Sequence, residues 1–168
     1  MIYIDMDDVA ADLQGYANQV NGTSLSIGDS MGESNWAELR RGHQRMFRDL
    51  EPNRGFIEKC IRGFELDKGS AAFLTALPFD NKSLWRYAPG DKLRWVHEHV
   101  SPEMDVFFGP FAHDKRLHCE PGDMLIDDNH QNCIEWVQQG GFAHLYRNVD
   151  DCVYWLKHTK VIVYDRMV

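Results

Sequence analysis

The chain has 168 residues, 43% of them apolar, and a formal net charge of -8. That length supports one buried core with a small inserted subdomain, and the apolar share argues against disorder. The acidic balance offers no basic stripe to a nucleic-acid polymer and no apolar run is long enough to span a bilayer, so neither polymer nor membrane is an expected partner.

Four cysteines, Cys60, Cys119, Cys133 and Cys152, show no C-x-x-C spacing. This disfavours a zinc knuckle and suits free thiols in a reducing, cytoplasmic setting. The N-terminus passes directly into an acidic strand, so no signal peptide is expected.

The first predicted element is a short apolar strand, Ile2–Ile4, that runs straight into Asp5 and Asp7. Two carboxylates crowded at the carboxyl end of a buried strand repel each other, and a hard cation such as Mg²⁺ between them makes the arrangement favourable. Leu13 to Gly69 is polar, with helical pieces predicted over Asn35–Leu50 and Gly55–Arg62 and turns or loop at Asn21-Gly22 and Ser26–Ser34. An insertion after the first strand lies over that strand's carboxyl end, which is the geometry of a lid. Residues 1–12 and 70–168 are therefore expected to form the core domain, and 13–69 a small helical cap.

Four further strands are predicted at Ala71–Thr75, Met104–Phe108, Met124–Ile126 and Phe142–Tyr146. A helix is expected over Lys92–Val100, with Leu93, Val96 and Val100 on one face. Another covers Asn132–Gln139 and ends at Gly140-Gly141. Asp150 and Asp151 read as the acidic start of a helix carrying Val153, Trp155 and Leu156. Val161–Tyr164 fits either one more strand or a docked arm. Strands alternating with helices argue for an α/β fold, a parallel sheet covered on both faces.

In such a sheet the strand ends converge on one edge. The first strand brings Asp5 and Asp7, the second Thr75 followed by Ala76, the segment before the fourth brings Lys115, and the fourth Asp127 and Asp128. A nucleophile, an acid–base group, a hydroxyl, a cation and metal-binding carboxylates are what phosphoryl transfer needs. His113, His118 and His130 lie near these segments, but carboxylates already supply a magnesium site.

These residues resemble the four motifs of the haloacid dehalogenase-like phosphohydrolases: Asp5-Met-Asp7, Thr75, Lys115 and Asp127-Asp128. The opening Asp5-Met-Asp-Asp-Val-Ala-Ala-Asp12 is similar to that of the 5'(3')-deoxyribonucleotidase branch. So are Met46–Pro52, Phe73–Pro78, Lys92–Val96, Asp114-Lys115 and Leu125–Asp128. The resemblance implies a Rossmann-like core with a small helical cap, and Mg²⁺-dependent release of phosphate from a nucleoside monophosphate, a small-molecule partner. It implies Asp5 as nucleophile, Asp7 as acid and base, and Thr75, Ala76 and Lys115 on the phosphate. It also implies Asp5, Asp7, Asp127 and Asp128 around the metal.

Trp36, Phe47 and Phe56 suit either stacking on a base or the cap's own small core. Arg40, Arg41 and Arg45 fit a solvated helix face, with Arg45 best suited to reach a ligand. Asp8 stands where the family pattern has glycine, which bears on the turn after Asp7 and adds a third carboxylate. A phosphatase for a phosphosugar or another small ester, and a non-catalytic nucleotide-binding domain, stay open as alternatives. The oligomeric state is open as well, a homodimer included.

Overall fold

The computed structural model of the chain describes residues 1–78, 82–109 and 111–165, with 160–165 described by their backbone alone. The chain begins with β1 (Ile2–Ile4), α1 (Leu13–Asn21), α2 (Glu33–Gly42), α3 (Met46–Asp49) and α4 (Arg54–Phe56). It continues with β2 (Ala71–Ala76), α5 (Lys82–Trp85), α6 (Ala88–His99), β3 (Val106–Gly109) and β4 (Met124–Asp127). The last elements are α7 (His130–Gln138), β5 (Phe142–Leu145) and α8 (Val149–Asp165). The five strands form one all-parallel sheet in the order β3-β2-β1-β4-β5.

The central strands are near-continuous apolar runs because both of their faces are covered. Alternation sends Tyr3, Leu74 and Leu125 to one face, where Trp136 of α7 packs on them. Ile2, Ile4, Phe73, Met124 and Ile126 point to the other, against Trp95 and Val96 of α6 and Cys152 and Leu156 of α8. The α/β class with helices on both faces is therefore what the structure has.

Several boundaries differ from the sequence expectation. The predicted helix over Asn35–Leu50 is two helices, α2 and α3, because His43 leaves helical geometry at φ -124°. An unanticipated helix, α1, follows Asp12, whose side chain accepts the Gly15 N–H at 2.8 Å. It ends at Gly22, which takes the left-handed conformation (φ 65°) that favours glycine. The tail Val161–Tyr164 is neither strand nor arm: its backbone continues α8. On α6 the buried face is Ala88, Lys92, Trp95 and Val96, whereas Leu93 is exposed.

The insertion does not stand apart from the sheet. Leu39, Met46, Phe47, Leu50, Phe56 and Ile57 belong to the same continuous apolar core as Ile4 and Phe73. After α4 the helix widens into a π turn, Ile57–Ile61, whose Ile57, Cys60 and Ile61 are buried.

Candidate active site

Register builds the site. Ile4 pairs with Phe73 on one side and Ile126 on the other, so Asp5 and Asp127 stand level, one residue beyond them. The Asp5 N–H donates to the Ile126 carbonyl at 2.9 Å. The chain moves outward from β1 through β2 to β3, then returns to β4 beside β1. Ligands of open α/β sheets bind at such a reversal, outside the carboxyl ends of the strands. A cavity of about 260 Å³ lies there, lined by Asp5, Asp7, Asp8, Ala76, Lys115 and Asp128.

Lys115 sits in a 3₁₀ helix, Ala112–His118, that follows β3. The approach of this turn depends on Gly109, since a Cβ there would lie 2.9 Å from the Phe111 carbonyl oxygen and 3.2 Å from the Lys115 nitrogen. Lys115 is 2% exposed, and its Nζ is 2.8 Å from Asp5 Oδ2 and 2.7 Å from Asp127 Oδ2. Two of the three ammonium donors are used and one is left for a ligand. Burial works against the charge on Lys115, but Asp127 and Asp5 more than offset it and raise the titration point above the ordinary lysine value. Burial pushes the Asp5 carboxyl upward; Lys115 opposes this, while Asp127 and Asp7 add to it.

The acid pair at the end of β4 divides in role. Asp127 is fully buried, and its oxygens accept from Lys115, the Asn129 N–H and the Asn132 amide. Asp128 lines the cavity, and among the described residues no donor reaches its carboxylate. Burial first, then the charges of Asp5, Asp127 and Asp8, push Asp128 up to about 8. Asp128 is thus the acid of the pair presented to a ligand, and Asp127 is the support of Lys115.

Asp8 accounts for its own departure from glycine. Its φ is 59°, a left-handed angle that aspartate tolerates better than most residues. Its Oδ1 accepts the Gln14 N–H at 2.6 Å, so the side chain holds the first turn of α1. Burial, with repulsion from Asp7 and Asp12 and against the Gln14 bond, pushes its carboxyl up to about 7.

Thr75 is fully buried, and the residue of that strand end that lines the cavity is Ala76. The Thr75 hydroxyl instead accepts from Lys92, at 2.8 Å. From the sequence, Lys92 opens a helix and belongs to a segment, Lys92–Val96, similar to the deoxyribonucleotidase branch, with no role at the site assigned to it. Lys92 is also fully buried, and its Nζ donates to Asp7 Oδ2 at 2.6 Å and to the Ala76 carbonyl at 2.8 Å. The signal for it was available: Lys92 shares the i, i+3, i+4 face of α6 with Trp95 and Val96.

Trp36 and Phe47 of the insertion line the cavity together with Leu13, Leu77 and Pro78. Phe56 and Arg45 do not. Phe56 is fully buried and packs edge-on against Tyr146, with ring centroids 5.5 Å apart. Arg45 is turned to Asp91, which it holds through two hydrogen bonds, and lies over the Tyr87 ring. Its neighbours are paired too: Arg40 with Glu33, Arg41 with Glu38, Arg48 with Asp49.

The donor set fits a hard dication. Carboxylate oxygens of Asp5, Asp127 and Asp128 lie within 4.8 Å of one another. Among the described residues, the five carboxylates Asp5, Asp7, Asp8, Asp127 and Asp128 stand against two buried ammonium groups, Lys92 paired with Asp7 and Lys115 with Asp5 and Asp127. An all-oxygen set with negative charge in excess is what Mg²⁺ takes, with retained waters completing its shell. The four cysteines are free thiols outside this cluster, and among the described residues no helix is long and apolar enough to cross a membrane. In comparisons with known proteins, no family model matches the chain and no curated protein matches it.

Proposed function

We propose that this chain is a Mg²⁺-dependent phosphatase of nucleoside monophosphates, deoxyribonucleoside monophosphates above all, working through an aspartyl-phosphate at Asp5. The observation that carries the reading is one cavity in which Asp5 and Asp7 meet Lys115 and Asp128. The resemblance to the haloacid dehalogenase-like phosphohydrolases implies roles for these four residues, while the Thr75 that it puts on the phosphate is bonded to Lys92 instead.

Asp5 is oriented by two bonds: Lys115 on Oδ2 and the Met6 N–H on Oδ1, at 2.7 Å. Its carboxylate attacks phosphorus, the ester P–O bond breaks, and the leaving oxygen takes a proton from Asp7. Asp7 then takes a proton from water, the hydroxide attacks phosphorus, and the Asp5–phosphate bond breaks to free orthophosphate. Asp7 lines the cavity; its Oδ2 is held by Lys92, and its Oδ1 is buried and, among the described residues, has no partner to give up before taking a proton. The remaining Lys115 donor binds a phosphoryl oxygen. Mg²⁺, held by Asp5 and Asp128, would neutralise charge on the phosphoryl oxygens.

The leaving group faces Leu13, Trp36, Phe47, Leu77 and Pro78. Such walls suit a flat, stacking base better than a hydroxylated sugar, which favours nucleotides over phosphosugars. A cytoplasmic location agrees with four free thiols. Phosphate release should be measured on deoxyribonucleoside and ribonucleoside monophosphates and on sugar phosphates, with Mg²⁺ and with EDTA. Turnover of the nucleotides that stops on chelation supports the reading. Release from sugar phosphates alone, or none from any ester, contradicts it.

A further inference from the structure

Two buried lysines enter the site, and their donors are spent differently. Lys115 uses two on carboxylates and keeps one. Lys92 uses all three: on Asp7 Oδ2 at 2.6 Å, Thr75 Oγ1 at 2.8 Å and the Ala76 carbonyl at 2.8 Å. Its Nζ also lies 4.4 Å from the centre of the Phe47 ring, so the cap covers the remaining side of the ammonium.

Lys92 therefore has no donor to offer a phosphate unless it releases one of these partners. Two of its bonds, to Thr75 and Ala76, fix the ammonium to the end of β2. The third holds one oxygen of Asp7, a residue that lines the cavity, and the other oxygen is buried with no partner among the described residues. The backbone that carries Lys92 is itself tied to the insertion, since Asp91 is gripped by Arg45 and the Trp95 Nε1–H donates to the Leu50 carbonyl at 2.8 Å.

We infer that Lys92 is the positioning residue for Asp7. Anchored on Thr75 and Ala76, it turns one Asp7 oxygen toward the leaving group and the attacking water, and it takes no part in binding phosphate. This rests on the phosphatase reading above, in which Asp7 gives a proton to the leaving oxygen and then takes one from water.

The test compares wild type with Lys92→Met on a deoxyribonucleoside monophosphate and on 4-nitrophenyl phosphate. On the nucleotide, kcat should fall about a hundredfold, the scale of a misplaced acid–base group, with KM within about threefold. On 4-nitrophenyl phosphate the first turnover should survive as a burst of nitrophenolate, because that group leaves without a proton. Slow steady-state turnover should follow, because water is no longer activated at phospho-Asp5. Inhibition by orthophosphate should be unchanged. A KM and a phosphate inhibition constant that rise about tenfold, a lost burst, or unaltered kinetics would each overturn the inference. Thr75→Val removes one anchor and keeps the charge, and serves if Lys92→Met does not fold. It should lower kcat about tenfold at constant KM, and a raised KM with kcat intact overturns the inference. Wild-type protein that releases no phosphate from any ester removes the phosphatase reading; active wild type with an undiminished Lys92→Met removes this inference alone.

Discussion

Arg45 grips Asp91 with two hydrogen bonds, Nε to Oδ2 at 2.7 Å and Nη2 to Oδ1 at 2.5 Å. Asp91 is 3% exposed, and the guanidinium comes from the segment entering α3. The pair thus ties the insertion to α6 one residue before Lys92. Arg45→Ala leaves a buried carboxylate without its partner, so Tm should fall, and thermal unfolding followed by circular dichroism measures it. Because Arg45 does not line the cavity, KM for a nucleotide should stay within about threefold. An unchanged Tm would show that the clamp contributes nothing.

Lys115→Met removes the one cation shared by Asp5 and Asp127 and leaves both carboxylates buried. Breaking a buried pair from one side costs about 3–5 kcal/mol, to be read from urea denaturation. Phosphate release should be lost in the same variant, and retention of full kcat and KM would refute the assignment of Lys115.

Asp127 and Asp128 should separate by experiment. Asp128→Ala should keep the fold and weaken Mg²⁺ binding by at least about tenfold in calorimetry, because it removes a ligand with no structural partner. Asp127→Ala should instead lower stability by about 3 kcal/mol, since Lys115 and Asn132 lose their shared acceptor. The reverse pattern would exchange their roles.

Three carboxyls of the site, Asp5, Asp8 and Asp128, titrate above the ordinary aspartate value in the folded chain, Asp8 at about 7 and Asp128 at about 8. A group whose folded pKa is raised gives stability that is fully present below the unfolded value and is lost as pH rises through the folded value. Metal-free protein should therefore lose Tm between about pH 5 and about pH 8. Saturating Mg²⁺ should flatten that slope, because it stabilises the charged carboxylates. Asp8→Asn should reduce the slope without abolishing the Mg²⁺ effect. A metal-free Tm that climbs over this interval contradicts the account.

The strand-end chemistry was legible because apolar runs ending in acids report both burial and polarity in the same few residues. Ile2–Asp7 and Leu125–Asp128 are of this kind, and the parallel pairing of β1 with β4 brought them together. Lys92 was not legible in the same way. A lysine opening a helix is ordinarily a solvated residue, and only the folded chain brings Asp7 and Thr75 to it from two different strand ends. Arg45 and Phe56 misled for the opposite reason. Their residue types suit a ligand, but Asp91 and Tyr146, distant in sequence, occupy them. Which of Asp127 and Asp128 faces the cavity was equally hidden, since adjacent strand-end residues differ only in the direction their side chains take.

The most direct test of the central claim is to trap the intermediate. Protein turning over a deoxyribonucleoside monophosphate with Mg²⁺ should be quenched with borohydride, which reduces an aspartyl-phosphate to homoserine, and the N-terminal peptide sequenced by mass spectrometry. The account predicts homoserine at position 5, absent without substrate and absent in Asp5→Asn. Active protein whose Asp5 stays unmodified, or an Asp5→Asn variant that still releases phosphate at the wild-type rate, would contradict it.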